Sequence, residues 1–353
     1  MHHKRLSLVV AMVASVGLLA TGCASRNPQY KVNSGFYKKM MERQRAGMQL
    51  APDPLKDLPA MTADEYENLG DNYLRQNNIN MAFVQYSKAV KMNPQSVNLK
   101  YKIGKLFLKK GLPHEAVKEF NSVIEQDPDF ALAYEGLGQA LFQVNDFTAS
   151  EHALLKSIEL DERLWSAHNL LGIIYDRNLN FDEAISRYQA AIALNDRNGS
   201  LYNNLGMSYF YKGELDKAVP AFGNALALSD PEDQKKIYNN VGMTLVKLKR
   251  YDQAFEAFKR GSDEAKAHNN MGIVYLQEGN PRKAIASFEK AIDTSPSFYA
   301  RASENLKLAK MSLAQQSVQN EPHQGTAMAG SQELKPLRLR FDMMLSTTTP
   351  SQP

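Results

Sequence analysis

The sequence contains a single cysteine, Cys23, among its 353 residues. One cysteine forms no intrachain disulfide, no dithiol redox pair and no cysteine-based metal site. The chain also lacks a strong charge imbalance, because 42 lysines and arginines stand against 38 aspartates and glutamates, for a formal net charge of +4. Binding of nucleic acid needs a basic stripe on one face, so this balance argues against DNA or RNA as a partner.

The motifs of common catalytic sites are missing as well. The sequence has no Gly-rich phosphate loop ending in Lys-Ser or Lys-Thr, no Gly-x-Ser-x-Gly and no His-Glu-x-x-His. His168 and His268 take a place in the chain's internal repeat that tyrosine holds elsewhere, which indicates packing rather than metal binding. We therefore expect a protein that is not an enzyme, with no catalytic residues, metal, cofactor or small-molecule substrate.

The apolar run near the start of the chain is short. Residues 2–5 give a positive start, and residues 6–20 carry no charge. A run of this length fits a secretory signal better than a membrane-spanning helix, which needs about 20 residues. The end of the run, LATGC at residues 19–23, resembles a bacterial lipobox. An ordinary secretory signal with a chance cysteine is the alternative.

The lipobox resemblance implies that residues 1–22 are a lipoprotein signal peptide and that Cys23 is the lipid attachment site. Several acyl chains would anchor the protein stably in a membrane, since each buried methylene contributes about 0.8 kcal/mol. In Gram-negative lipoproteins an Asp after the cysteine typically retains the protein in the inner membrane. Ala24 therefore points to the periplasmic face of the outer membrane. Residues 23–62 are polar and rich in proline, and are predicted to form a flexible tether.

One motif recurs through the middle of the chain. A glycine preceded by an aliphatic residue returns at spacings of 34, 34, 34, 34, 36 and 30 residues. A small residue stands twelve positions after each glycine, and a large aromatic residue or leucine stands sixteen positions after it. The glycines are Gly70, Gly104, Gly138, Gly172, Gly206, Gly242 and Gly272. The large partners are Tyr86, Phe120, Leu154, Tyr188, Phe222, Phe258 and Phe288.

This pattern resembles the tetratricopeptide repeat, a pair of antiparallel helices in 34 residues. The resemblance implies an all-α fold, a right-handed α-solenoid of about seven helix pairs over residues 63–298, whose pairs must stack to bury their apolar faces. The predicted units are 63–96, 97–130, 131–164, 165–198, 199–234, 235–264 and 265–298. A capping helix is predicted over residues 299–316, and the composition of residues 317–353 predicts a disordered tail.

In this family the first helices of successive units line a concave groove, where we expect protein segments to bind. Asparagines just before the aliphatic-Gly pair resemble the asparagine ladder of some peptide-binding superhelices, in which amides bond the backbone of an extended peptide. The alternative is that they cap turns or satisfy the neighbouring unit. The N-terminal end of the groove is predicted to be acidic. The candidate groove residues are Asn169, Asn203, Asn204, Met207, Phe210, Asn239, Asn240, Met243, Asn269, Asn270, Ile273 and Leu276.

The order of lipobox, tether, repeats and closing helix resembles the lipoprotein of tight-adherence (Flp) pilus machines. That resemblance implies a lipid-anchored scaffold at the outer membrane whose partners are protein segments, such as pilus or secretin components, and the membrane itself through the lipid. The alternative is an adaptor or pilotin for another envelope process. Type IV pilus secretin assembly, outer-membrane protein insertion and control of peptidoglycan hydrolases are the candidates.

Overall fold

The computed structural model describes residues 61–295, 297 and 299–319, and this part of the chain contains fifteen α-helices and no strand. The helices are α1 Ala63–Arg75, α2 Ile79–Met92, α3 Val97–Lys109, α4 Pro113–Gln126, α5 Ala131–Gln143, α6 Phe147–Leu160, α7 Trp165–Arg177, α8 Phe181–Leu194, α9 Gly199–Lys212, α10 Leu215–Leu228, α11 Pro231–Lys247, α12 Tyr251–Gly261, α13 Glu264–Gln277, α14 Pro281–Thr294 and α15 Ala300–Gln319. The predicted all-α solenoid is confirmed for these residues.

In each of the seven helix pairs, the two helices pack closely at the repeat glycine. The aromatic ring or leucine sixteen residues later is fully buried in every pair and lies directly against that glycine. In the pair formed by α9 and α10, a Cβ placed on Gly206 would lie 2.7 Å from the ring of Phe222. Real Cβ atoms do not come this close to other atoms, so the repeated glycine is required by the approach of the two helices.

The turn inside each pair has a fixed backbone conformation. The seventh residue after each repeat glycine has a positive φ, between 57° and 88°. Glycine holds this place in three units, and Asn77, Asn145, Leu179 and Lys249 hold it in the other four. The second helix then begins with a cap in several units: Asn78, Asp146 and Asn280 each accept a hydrogen bond from a backbone N–H in the first turn.

Neighbouring pairs stack in chain order. Each even-numbered helix packs on the odd-numbered helix that follows it, from α2 on α3 to α14 on α15. Odd-numbered helices of successive units also meet, as α7 does with α5 and α9. The odd-numbered helices therefore form one continuous layer along the stack, and that layer carries the residues predicted to line the groove.

The helix α15 occupies the place that a first helix would take in an eighth unit. Its buried residues Ala302, Asn305 and Ala309 follow the spacing of the buried positions on the other odd-numbered helices. It packs on α13 and α14. The helix reaches Gln319, three residues past the predicted end of the capping helix at residue 316.

Three predictions fall on residues beyond the described part. The signal peptide at 1–22, the lipid site Cys23 with nearly all of the tether, and the tail from residue 320 onward lie outside the described residues. Within the described helices, none combines the length and the apolar character that a membrane crossing requires.

Candidate peptide-binding groove

The asparagines of the predicted ladder bond to one another between consecutive units. Nδ2 of Asn204 on α9 donates to Oδ1 of Asn169 on α7 at 3.1 Å, and Nδ2 of Asn240 on α11 donates to Oδ1 of Asn203 at 2.9 Å. At the end of the stack, Nδ2 of Asn305 donates to Oδ1 of Asn269 at 3.0 Å. In each pair the donor stands two positions before the repeat glycine of its unit, or at the equivalent place on α15. The acceptor stands three positions before the repeat glycine of the preceding unit. We call such a pair a rung.

These rungs correct the expected role of the amides. Asn169, Asn203, Asn204, Asn240, Asn269 and Asn270 are all buried, so they do not face the groove as the sequence suggested. Small neighbours such as Ala167 and Ser208 let the odd-numbered helices approach closely, which encloses the amides between helices. The alternative reading, in which each asparagine satisfies the neighbouring unit, matches the three observed bonds.

The rung between units six and seven is missing, and the repeat glycines of these two units have the shortest spacing in the array, 30 residues. Asn239 on α11 and Asn270 on α13 hold the rung positions of units six and seven, but the Oδ1 atoms of both are buried without a hydrogen-bond partner in the described structure. The helix α12 has 11 residues, and only Ser262 and Asp263 separate it from α13. Oδ1 of Asn239 lies against Gly261, the last residue of α12. We infer that this short connection shifts the register of the two units enough to prevent the bond.

The apolar candidates are largely buried too. Met207 is 1% exposed and Ile273 is fully buried, and Phe210 and Leu276 are also buried. They pack into clusters between units rather than standing free in a groove. Of the apolar candidates, only Met243 stays partly exposed.

On this layer, units five and six expose a strip of aromatic, apolar and cationic side chains. It is formed by Tyr211, Met243, Val246 and Lys247, which are exposed or partly exposed. The amine of Lys247 lies 4.4 Å from the centre of the Phe210 ring, so the ring binds a cation on one face. We call these four residues the inner strip.

Two acidic residues at the N-terminal end of the same layer are paired with a lysine of the next unit, while Asp64 is exposed. Nζ of Lys102 on α3 lies 2.7 Å from Glu67 and 2.8 Å from Asp71, both on α1. Burial alone would lower the pKa of Lys102, but the bonds to Asp71 and Glu67 raise it overall. Lys102 and Glu67 occupy the rung positions, so this rung is ionic where later ones are amide pairs. The sequence signal was the lysine itself, which replaces the asparagine of other units.

A second charged pair lies one unit further along. Burial raises the pKa of Glu135 on α5, and the nearby Lys105 on α3 only partly offsets this effect. Burial likewise lowers the pKa of Lys105. Ser166 on α7 donates a hydrogen bond to the Glu135 carboxylate. Lys105 and the Ser166 hydroxyl therefore offset only part of the cost of burying the Glu135 carboxylate.

Asp176 on α7 stands four residues after the repeat glycine Gly172, and its partners come from two other helices. Its carboxylate accepts hydrogen bonds from Oγ of Ser208 on α9 at 2.7 and 2.8 Å and from the Tyr188 hydroxyl on α8 at 2.9 Å. Burial raises the pKa of Asp176 to about 6, and the two hydroxyls oppose that shift. The available signal was Ser208, a hydroxyl at a position where Leu106, Ala140 and Ile174 stand in earlier units.

The histidines in the layer pack as structural residues. Nε2 of His168 lies 3.0 Å from the carbonyl oxygen of Glu162, and the His268 ring packs against Phe255 with centroids 4.6 Å apart. Burial lowers the pKa of both rings. In the described ranges no three histidine, cysteine, aspartate or glutamate side chains gather in a way that could hold a metal ion.

Several tetratricopeptide-repeat family profiles match the chain, at residues 68–129, 101–163, 167–202, 198–263 and 265–298. Together these matches run through nearly the whole stack of helix pairs. The chain belongs to the tetratricopeptide-repeat family. Its stacked helix pairs therefore form a scaffold for protein–protein interaction, the general role of this repeat.

Two curated relatives match part of the chain. Protein FlbA of Caulobacter vibrioides is 27% identical over 177 residues, which is 49% of this chain and 29% of that protein. Tetratricopeptide repeat protein 37 of Xenopus laevis is 28% identical over 98 residues, 28% of this chain and 6% of that protein. The chain thus spans less than a third of the length of either relative.

Solved structures share the architecture. The Cut9–Hcn1 hetero-tetramer of the APC/C aligns with a TM-score of 0.51 at 25% identity, over 70% of this chain and 49% of that one. The C-terminal part of a repeat protein from Cytophaga hutchinsonii aligns with a TM-score of 0.53 over 68% of this tetratricopeptide-repeat chain and 98% of that one. At 16% identity, the second likeness concerns the fold alone.

Proposed function

We propose that this protein is a lipid-anchored tetratricopeptide-repeat scaffold that binds extended protein segments along its odd-numbered helices. We further propose that it serves the assembly of a pilus or secretion machine, of the tight-adherence (Flp) kind, at the periplasmic face of the outer membrane. The first statement rests on the geometry of the helix layer. The second rests on the lipobox and on the order of parts in the sequence.

The observation that carries the proposal is the inner strip. Tyr211, Met243, Val246 and Lys247 combine aromatic, flexible apolar and cationic surface on the layer that also holds the buried rungs and clusters. A thioether side chain adapts to varied ligand shapes, and an aromatic ring gives large contact area at low loss of side-chain entropy. The buried rungs hold the strip rigid, which lowers the entropy lost on binding.

Photo-crosslinking tests segment capture. We expect p-benzoylphenylalanine placed at Val246, on the inner strip, to crosslink a partner in membranes. The same group at Glu256, exposed on α12 of the same unit, is the matched control and should yield no such product. Equal crosslinking from both positions, or from neither, would contradict binding along the odd-numbered helices. Mass spectrometry of the product identifies the partner. Pilus or secretin components would support the pilus assignment, and components of another envelope process would overturn it.

The lipid anchor has its own test. Cys23→Ser should abolish palmitate labelling and move the protein out of the membrane fraction, because the acylated thiol would be lost. Ser25→Ala, two residues away, is the control and should leave both readouts unchanged. Labelling that persists in Cys23→Ser would remove the lipoprotein assignment while leaving the groove proposal intact.

A further inference from the structure

Asp176 differs from the other partly buried carboxylates of the helix layer. Glu67 and Asp71 pair with Lys102, and Glu135 lies beside Lys105. The carboxylate of Asp176 instead meets two hydroxyls, those of Ser208 and Tyr188. Within the described residues, no lysine or arginine is close enough to lower its pKa. Burial disfavours the charged form of this carboxylate, and a cation supplied by a ligand would stabilise that form.

The cations nearest in sequence and in the layer are engaged elsewhere. The Arg177 guanidinium lies over the Phe147 ring at 4.0 Å. Lys212 pairs with Asp182 at 2.6 Å and with Glu214 at 2.5 Å, and the Lys247 amine lies over Phe210. These cations of the described residues have other partners, so the partly exposed carboxylate of Asp176 can accept a cation from a ligand.

An exposed aromatic ring lies on the face of α9 that also carries Ser208, the hydroxyl donor to Asp176. Tyr211 is 46% exposed, and its ring stacks on Phe181 at 6.0 Å and meets Phe210 edge-on at 5.4 Å. Tyr211 follows Ser208 by three residues on α9, so its side chain lies on the helix face whose Ser208 hydroxyl bonds Asp176. The pKa of Tyr211 is raised by burial and then by the charge of Asp176, in agreement with this placement. A carboxylate next to an aromatic face is the combination that binds ammonium and guanidinium groups.

We propose that Asp176 and Tyr211 form a pocket for a lysine or arginine side chain of the segment bound by this scaffold. The inference rests on the proposed function, since it names a specificity determinant of the same helix layer. Beyond Phe210, towards α11, the layer turns apolar at Met243 and Val246. The preferred ligand is thus a segment in which a basic residue lies close to apolar residues. One carboxylate with two hydroxyls gives too few charged ligands for a dedicated metal site.

The pocket has a pH dependence with a defined direction. Burial raises the pKa of Asp176 to about 6, so its charge disappears as the pH falls through that value, and binding of a cation should weaken below it. The titratable groups that face Asp176 are Tyr188 of α8 and Tyr211 of α9. Both have raised pKa values and stay neutral throughout this range. The raised pKa of Lys212 keeps that side chain charged.

Carbon-detected NMR of the full chain tests the pocket without any natural partner. The probes are N-acetyl-lysine methylamide and N-acetyl-norleucine methylamide, which share a four-carbon side chain and differ in the charge. The lysine probe should shift the Asp176 carboxyl signal, assigned by its absence in Asp176→Asn, and should lower the pKa of that group. The norleucine probe should do neither. Equal responses to both probes, or no response to either, would overturn the pocket.

Peptide selection then links the pocket to segment capture. Peptides of random sequence selected on the full chain should carry lysine or arginine at one fixed position. Asp176→Asn and replacement of that basic residue by norleucine should each weaken binding about tenfold or more, and the two together should add little. Selected peptides that bind without a basic residue would overturn the pocket and leave the scaffold intact. If no peptide is captured while the NMR response holds, the segment-binding function fails instead.

Discussion

At the scale of single residues, the glycines of the helices have two different roles. A Cβ on Gly206 would collide with the buried Phe222 ring, whereas a Cβ on Gly223, on the exposed side of α10, would meet nothing within 4 Å. Gly206→Ala should destabilise the array by about 1–3 kcal/mol through overpacking. Gly223→Ala should stabilise it by about 0.5–1 kcal/mol, since alanine favours the helix. Urea unfolding followed by circular dichroism compares the two, and a gain in stability from Gly206→Ala would contradict the packing account.

The ionisation of Asp176 should make stability depend on pH. Its pKa is raised to about 6 in the folded chain, above the value of 3.8 for a free aspartate. The folded state therefore binds more protons between these values, so the contribution of this group to stability is fully present below pH 3.8 and is lost as the pH rises through about 6. At pH 7.5, Asp176→Asn should be more stable than the parent by about 1–3 kcal/mol, and the gain should shrink below pH 5. A gain that stays constant from pH 5 to 7.5 would rule out this ionisation.

At the scale of elements, the turn between α7 and α8 carries an unfavourable conformation. Leu179 has φ of 61° and is 72% exposed, so it bears left-handed backbone strain without burying its side chain. Strain of this kind costs about 1–2 kcal/mol for a residue with a Cβ. Leu179→Gly should raise the midpoint of thermal unfolding, with a net gain of about 0.5–1 kcal/mol after the extra freedom of glycine in the unfolded chain. Leu179→Ala keeps the strain and should give no gain; equal gains from both would contradict the argument.

The amide rungs should couple neighbouring first helices energetically. Asn204→Ala leaves Oδ1 of Asn169 buried without its 3.1 Å partner, and should destabilise the array by about 1–3 kcal/mol. A double-mutant cycle with Asn169→Ala should show a coupling of about 0.5–3 kcal/mol. Asn270→Ala is the matched control, because Oδ1 of Asn270 has no hydrogen-bond partner in the described structure. A loss as large from Asn270→Ala would mean that packing, and not the bond, sets the effect.

At the scale of the whole molecule, the repeat could be predicted from the sequence because its characteristic residues lie close together within one unit. A glycine and the ring sixteen residues later lie in one helix pair, so their recurring spacing is visible in the sequence, and the structure brings Gly206 and Phe222 into contact. The closing helix was predicted on the same ground, since its apolar spacing is internal to the helix, and the structure has a helix at Ala300–Gln319.

The groove was harder to predict because its residues meet across units. The positions of Asn203 and Asn204 differ by about 100° on the helix, so a small rotation decides whether an amide faces a ligand or the next helix. The sequence pattern carries no record of that rotation. Lys102 meets Glu67 from 35 residues away, and Ser208 meets Asp176 from 32 residues away. Predicting such contacts requires the relative position of consecutive units in the stack.

Hydrogen–deuterium exchange measures most directly whether partner segments bind along the odd-numbered helices. The full chain is compared with and without the segment recovered by crosslinking at Val246. The account predicts slower exchange in α7, α9, α11 and α13, whose side chains form the layer, and unchanged exchange in α8, α10, α12 and α14. Protection confined to the even-numbered helices would contradict it, because the partner would then occupy the opposite face of the stack.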